Sequence, residues 1–275
     1  MSVPRWIPRP RLLFTIFVMV CLYAPIVLVV VYSVNKDSQL LQWEGFTWQW
    51  YEKAFNDPAV REAFWTSVEV ALLSTALSLV IAITAGLWLR KAQHRSRVWF
   101  DALTYSRIVL PEVVIAIGLF ILFDKLHIEY GVMAIVLAHV VFNSAYATII
   151  IQARFATMDE SLEEAAADLG ANRWRVFRRV TLPLLMPAVI VAGLLVITFS
   201  FDNVIASQFL GGTKAQTLPV LVFSKIRLHV TPEVNAIGAG LMVITLVTFS
   251  MAGLITMLRP TGAGSMLGFG RKAAK

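Results

Sequence analysis

"SLEEAAADLGANRWRVFRRVTLPLLMP", residues 161–187, is a charged, helix-forming interruption in a chain that is otherwise strongly apolar. The 275 residues are 58% hydrophobic and 15% charged, whereas a soluble domain usually carries about a quarter charged residues. Hydrophobicity at this level, arranged in long runs, predicts several membrane spans rather than one large buried core. We therefore expect the interruption to lie outside the lipid, where its charges can be hydrated.

The interruption predicts two short helices joined at a glycine. Ser161 and Glu164 match the S-x-x-E capping box, so the first helix should begin there. Gly170 supplies a left-handed end to this helix, and Asn172 can cap a second helix, which Pro183 limits. The first helix has one apolar side, formed by residues at i, i+3, i+4 and i+7: Leu162, Ala165, Ala166 and Leu169.

Six apolar runs are long enough to cross about 30 Å of hydrocarbon, which takes about 20 residues of helix. They are 12–34, 64–89, 103–123, 131–151, 188–209 and 236–258. The first run follows basic residues but is too long for the apolar part of a signal peptide, so we expect a retained anchor. The predicted fold class is an all-α membrane protein with six transmembrane helices.

Lysine and arginine residues are distributed unevenly between the two sides that this topology creates. Most of the 24 lie in the N-terminal segment, the loop after the second run, the interruption and the C-terminal tail. By the positive-inside rule these segments and both termini are cytoplasmic. We divide the chain into a cytoplasmic segment 1–11, a six-span domain 12–258 and a cytoplasmic tail 259–275. The six-span domain contains a cytoplasmic helix–glycine–helix elbow at about 159–182.

Three acidic residues fall within the predicted spans: Glu69, Glu112 and Asp202. A charge at the centre of a membrane helix costs at least about 2.5 kcal/mol, so each is a candidate functional group. With Asn203, which follows Asp202 deep in the fifth run, they predict a substrate pathway that favours cations. Each has a structural alternative: Glu112 can cap a helix broken at Pro111, Glu69 can reach the outer water, and Asp202 can make a packing hydrogen bond.

Other polar features predict structure rather than chemistry. His139 and Asn143, four residues apart in the fourth run, are expected to make hydrogen bonds between helices, because the sequence places no third metal ligand near them. We predict neither a catalytic residue nor a metal site. The outer segment 47–65, "TWQWYEKAFNDPAVREAFW", predicts one amphipathic helix at the membrane surface. The net charge of +7 fits cytoplasmic loops, and without a basic–aromatic groove pattern we expect no nucleic-acid partner.

A long, fixed spacing runs through the elbow: Glu164-Ala165-Ala166, three residues, Gly170, nine residues, then Val180-Thr181-Leu182-Pro183. It resembles the EAA motif of permease subunits in bacterial ABC importers, E-A-A-x3-G-x9-I-x-L-P, with valine in place of the usual isoleucine. In that family this segment is the coupling helix, which sits in a cleft of the ATP-binding subunit. The resemblance implies that coupling to that subunit involves Glu164, Ala165, Ala166, Gly170, Leu182 and Pro183.

From about residue 10 to 260 the chain resembles the permease subunits of spermidine/putrescine importers, notably in "RIVLPEVVIAIGLFILF" and "ITFSFDNVIASQFLGG". This implies a type I importer permease fold in the bacterial inner membrane. It also implies a complex with a second homologous permease, two ATP-binding subunits and an external polyamine-binding protein. ATP and Mg would bind the partner subunits, since this chain lacks the phosphate loop G-x-x-x-x-G-K-[ST]. Intramembrane carboxylates suit a polycation independently of the resemblance.

Three alternatives stay open at this stage. An importer of this kind could carry another small cation, such as iron(III). A secondary transporter would be expected to show inverted repeats or paired broken helices, and it leaves the elbow unexplained. A membrane-embedded enzyme would need a catalytic constellation that the sequence does not present.

The unequal distribution of basic residues predicts which loops face outward. In a chain carrying Cys21→Ala, the variants Ser38→Cys and Thr213→Cys should react with a membrane-impermeant thiol reagent added to intact cells. The variant Ala171→Cys should react only after the membrane is opened. Labelling of Ala171→Cys in intact cells would reverse the orientation and rule out a cytoplasmic elbow.

Overall fold

The computed structural model describes residues 10–37, 42–228 and 231–258, which form helices joined by short loops. Outside these ranges lie the first nine residues of the predicted segment 1–11, together with Ser38 and the tail 259–275. The helices are α1 (Pro10–Tyr32), α2 (Gln49–Asn56), α3 (Pro58–Leu89), α4 (His94–Val109), α5 (Glu112–Lys125), α6 (Val132–Phe155), α7 (Ser161–Asp168), α8 (Arg173–Val176), α9 (Leu182–Asp202), α10 (Ile205–Leu210), α11 (Leu218–Leu228) and α12 (Pro232–Leu258). A π-helical turn, Phe177–Thr181, joins α8 to α9.

Four continuous helices are long and apolar enough to cross a membrane: Leu12–Tyr32, Pro58–Leu89, Val132–Phe155 and Arg173–Asp202. The count is five if α4 and α5 form one span, although these two helices meet at an angle of 107°. The sixth predicted run, 236–258, lies within α12, which has 27 residues. The chain is thus all-helical with four or five candidate spans in its described part, and six spans stay a prediction.

Two predicted spans contain breaks that hydropathy does not reveal. The run 103–123 breaks at Leu110, which has extended backbone angles, because Pro111 disfavours helical geometry at the residue before it. The run 188–209 breaks at Asn203, which is also extended and whose side chain accepts a 3.0 Å hydrogen bond from the N–H of Ala206 at the start of α10. Asp202, which the sequence places inside the fifth run, is the last residue of α9 and stands directly before this break.

One compact unit contains the chain up to Arg61 together with Leu221–Ile244. Here Lys225 Nζ lies 2.9 Å from Asp57 and 2.6 Å from Glu233, and Lys53 Nζ lies 2.8 Å from Glu233. The single amphipathic helix predicted over 47–65 is wrong, because α2 ends before Asp57. The Asp57 carboxylate accepts a 2.9 Å hydrogen bond from the N–H of Ala59 and so starts the next helix.

The second unit contains Glu62–Val220 and the chain from Thr245 onward. At its centre α6 packs against α9 and carries the fully buried His139. One ring nitrogen, Nδ1, lies 2.7 Å from Ser200 Oγ in α9, and the other, Nε2, lies 3.2 Å from Ser207 Oγ in α10. The prediction that His139 bonds between helices is confirmed. It joins the two helices on either side of the break at Asn203.

The elbow follows the predicted plan except at its first residue and at the end of its second helix. The capping box is wrong: α7 begins at Ser161, whose N–H donates to the Asp159 carboxylate at 3.0 Å, and Ser161 itself caps nothing. The left-handed end is confirmed, since Gly170 has a φ of +83° and the N–H of Ala171 donates to Ala166 O at 3.1 Å. In α8, Asn172 caps the helix as predicted, accepting from the N–H of Arg175 at 2.8 Å.

The second helix of the elbow does not end before Pro183, as the sequence suggested. It passes through the π-helical turn into α9, so that Arg173–Asp202 is one continuous helix of 30 residues. In this turn the N–H of Leu182 bonds to Phe177 O, five residues back. The wider spacing makes room for the ring of Pro183, which would otherwise collide with the preceding turn of an α-helix.

Arg90, just beyond the end of α3, fastens the elbow to the membrane helices. Its guanidinium donates to both oxygens of Glu163 at 2.9 and 3.0 Å, and to Glu160 at 2.9 and 3.3 Å. The hydroxyl of Thr181 donates to Glu163 at 2.7 Å, and the Arg90 guanidinium lies 5.1 Å from the centre of the Phe155 ring. We call this cluster the latch. It connects α7 with α3 and with the π-helical turn.

Protonation of Glu163 sets the pH range over which the latch holds. Partial burial alone would raise the pKa of Glu163, but hydrogen bonds from Arg90 and Thr181 outweigh it and hold this pKa below its usual 4.5. A carboxyl group whose pKa is lowered on folding contributes stability above its ordinary pKa and loses it as the pH falls through the folded value. The latch is therefore intact at neutral pH and weakens below 4.5.

Replacing Arg90 should release α7. Hydrogen bonds to charged groups are worth about 1.5–3 kcal/mol each, and Arg90→Ala also leaves Glu163 half-buried without its cation. A spin label at Ala167→Cys, in a chain with Cys21→Ala, should become more mobile in Arg90→Ala, and in the parent protein below pH 4.5. The control is Arg97→Ala, since Arg97 pairs with Asp101 of its own helix, with Nε 3.9 Å from the carboxylate. Equal mobility in both variants would show that the latch does not hold α7.

Candidate functional site

One side of α7 carries apolar side chains that the described part of this chain leaves exposed to solvent. Leu169 is 89% exposed and Leu162 is 49% exposed, and between them the predicted Glu164 and Ala165 are exposed and Ala166 is partly buried. A Cβ atom placed on Gly170 would meet no atom within 4 Å, so its requirement is the positive φ and not close packing. Such a surface of small and apolar side chains, edged by carboxylates, suits contact with another protein.

Leu182 and Pro183, the other predicted coupling residues, open α9 on the far side of the π-helical turn. Leu182 is partly buried and Pro183 is exposed. Their effect on the elbow is through the backbone, because α9 begins at these two residues.

The latch is the part of this site that sequence reasoning missed. Arg90 and Glu163 are 73 residues apart, so their pairing leaves no periodic pattern. Arg90 was recognised only as one of the basic residues of a cytoplasmic loop. The local sequence gives no reason to prefer Glu163 to the neighbouring Glu164 as its partner.

Two of the four predicted pathway residues meet where the helices break. The side-chain amide of Asn203 donates a hydrogen bond to Glu112 Oε1, while its oxygen holds the N–H of Ala206. The predicted break before Glu112 is present, and Glu112 is the first residue of α5, where a carboxylate favours the helix dipole without a side-chain capping bond. Its contact with Asn203 links the two breaks and uses one of its two carboxylate oxygens.

The other two predicted pathway residues stand apart from this pair. Asp202 ends α9 next to Asn203 and is exposed in the isolated chain. Glu69 is exposed in the first half of α3. Within the described part of the chain neither makes an ion pair. Both carboxylates are open to a charged partner or ligand.

Arg107, near the end of α4, is a charged residue that the sequence reasoning did not assign to the site. Its guanidinium carbon lies 4.2 Å from the centre of the Phe142 ring and 6.0 Å from that of Tyr146. It also interacts electrostatically with Glu112. The site therefore contains a fixed cation, and the local field is less negative than three carboxylates alone would make it. The described residues include no group of three or more histidine, cysteine, aspartate or glutamate side chains arranged to hold a metal ion.

The chain is similar to permease proteins of polyamine transport systems. The chain is 35% identical over 252 residues to the spermidine/putrescine transport system permease protein PotC of Haemophilus influenzae, covering 92% of this chain and 97% of that protein. It is 37% identical over 224 residues to the putrescine transport system permease protein PotI of Escherichia coli K12, covering 79% and 80% of the two chains.

Solved structures show the same fold at lower identity. A bacterial ABC transporter that imports the acidic polysaccharide alginate matches with a TM-score of 0.67 and 17% identity, over 91% of this chain and 95% of that one. The inward-facing MetNI methionine ABC transporter matches with a TM-score of 0.58 and 16% identity, over 71% and 93%. Residues 78–261, which include the elbow, both helix breaks and the latch, match the model of one family. This chain belongs to that family, the inner-membrane components of binding-protein-dependent transport systems.

Proposed function

We propose that the chain is one of two homologous permease subunits of an ATP-driven polyamine importer, with six spans and both termini in the cytoplasm. It is a multi-pass protein of the inner membrane and a non-catalytic subunit, since ATP hydrolysis belongs to separate ATP-binding subunits. Two such subunits, carrying ATP and Mg, would dock at the cytoplasmic side. An external binding protein would deliver spermidine or putrescine. The permease names of the relatives support polyamines over the alternative of another small cation such as iron(III).

The observation that carries this proposal is that one side of α7 is exposed to solvent while the latch holds its opposite side. Leu162 and Leu169 expose apolar surface on a cytoplasmic element, where contact with a partner would remove it from water. The latch ties the same helix to α3 and α9. A partner that closes on α7 would therefore move membrane helices and not merely a loose loop.

Gly170 tests the coupling role of the elbow. A valine at its φ of +83° is strained by about 1–2 kcal/mol, whereas asparagine adopts this conformation more readily. In the assembled complex, Gly170→Val should abolish the stimulation of ATPase activity by the loaded binding protein, and Gly170→Asn should keep most of it. Glu164→Lys, which reverses a charge on the docking side, should behave like the valine variant.

The amount of inserted protein, measured by immunoblotting of membranes, should be equal in all three elbow variants. Normal stimulation in both Gly170→Val and Glu164→Lys would exclude docking of the ATP-binding subunit at α7.

The cation pathway is proposed to run past the two helix breaks. A polyamine ammonium that leaves water needs anionic oxygens in exchange. Asp202 and the second oxygen of Glu112 would offer them on either side of Asn203, with Glu69 nearer the outer end of its helix. Arg107 beside Glu112 would disfavour inorganic cations that bind only a dense cluster of carboxylates.

Asp202→Asn should lower spermidine uptake into membrane vesicles by about tenfold or more. An ion pair in a partly desolvated site is worth at least about 1.4 kcal/mol, and the amide keeps the size of the side chain. Assembly and basal ATPase activity should be unchanged. The matched control is Asp101→Asn, an acid on α4 whose nearest cation is Arg97. Undiminished spermidine uptake by Asp202→Asn would show that Asp202 does not line the pathway. Uptake of iron(III) and not of spermidine by the parent complex would overturn the polyamine assignment.

A further inference from the structure

The second half of the elbow differs in chemistry from α7. Four arginine side chains within about two turns are exposed, and among the described residues none of them makes an ion pair: Arg173, Arg175, Arg178 and Arg179. Trp174 is 66% exposed and stacks on Phe177, with the ring centres 5.6 Å apart. We call these six residues the basic aromatic face. The acidic residues of the elbow lie on α7 or directly before it, and two of the elbow's carboxylates, Glu160 and Glu163, are already paired with Arg90.

The length of the continuous helix places this face relative to lipid. Helix α9 alone has 21 residues, which give about 32 Å and therefore cross the hydrocarbon layer. The whole helix Arg173–Asp202 has 30 residues, or about 45 Å. Residues 173–181 therefore project beyond the hydrocarbon into the layer occupied by lipid headgroups.

We propose that the basic aromatic face binds the headgroups of anionic phospholipids in the cytoplasmic leaflet, and so fixes the height and rotation of the elbow. Guanidinium groups bind phosphate oxygens through two parallel hydrogen bonds, and tryptophan is enriched at the level of the headgroups. The inference rests on the proposed cytoplasmic position of the elbow. It divides the elbow into a half that meets the ATP-binding subunit and a half that meets lipid.

The lipid contact can be measured without transport. The assembled complex is placed in nanodiscs that contain phosphatidylcholine alone or mixed with phosphatidylglycerol, and one of the two lipids is brominated in its chains near the headgroup. The contribution of Trp174 is the difference in fluorescence between the parent and Trp174→Phe. We expect brominated phosphatidylglycerol to quench it more strongly than brominated phosphatidylcholine. Each arginine at an anionic surface changes lipid binding by roughly fivefold, so Arg178→Gln with Arg179→Gln should remove most of this preference.

A second double variant tests whether the loss of any two basic residues would have the same effect as changes in the basic aromatic face. Arg95→Gln with Arg97→Gln removes the same charge from the start of α4 and should leave the preference of Trp174 intact. Equal quenching by the two lipids in the parent, or equal effects of the two double variants, would overturn the proposal.

A second measurement addresses the competing protein partner. In detergent, free of phospholipid, Arg178→Gln with Arg179→Gln should keep its ATP-binding subunits through size-exclusion chromatography. Loss of those subunits, with an unchanged lipid preference, would assign the face to the ATP-binding subunit and overturn the proposal. Because quenching needs neither ATP nor polyamine, a failure of the proposed transport function would leave this result unaffected, and the reverse also holds.

Discussion

A backbone that crosses hydrocarbon must satisfy its own N–H and C=O groups, because no water is available there. This constraint explains why the structure is helical throughout its described part and why its exceptions matter. At Pro111 and Asn203 the helical bonding stops, and side chains take over: the Asn203 amide holds both the start of α10 and the Glu112 carboxylate. His139 then fixes the two pieces on either side of the second break. Polar side chains lie at these breaks because the backbone there needs hydrogen-bond partners outside the helix. A ligand pathway that passes the breaks would be lined by the same polar groups.

The same principle applies to charge outside the hydrocarbon. The half-buried guanidinium of Arg90 needs two carboxylates and an aromatic ring around it, and the elbow supplies the carboxylates. Glu163 therefore faces inward while its neighbour Glu164 is left exposed. The arrangement gives α7 a rigid rear side and a free front side, which is what a segment that receives force from another protein requires.

Local signals in the sequence were sufficient for the elbow and insufficient for the breaks. Gly170 and Asn172 were predicted correctly, because their roles depend on the backbone within three or four residues. Ser161 was predicted wrongly because Asp159, two residues earlier, competes for the same cap. The break next to Asp202 was not predicted, because one asparagine in a long apolar run hardly changes its hydropathy. The latch and the pairing of Glu112 with Asn203 could not be predicted, since each joins residues far apart in sequence whose contact depends on the folded helices.

The π-helical turn Phe177–Thr181 has a mechanical consequence for the helix that contains it. A π-turn holds about one residue more than an α-turn. Tightening it would turn the preceding Arg173–Val176 by about 100° around the helix axis and shift it by about 1.5 Å. Helix α9 and Asp202 at its far end could stay where they are, with the surplus residue taken up in the connection before Asn172. Such a joint would let Arg173–Val176 rotate around the helix axis while α9 stays continuous.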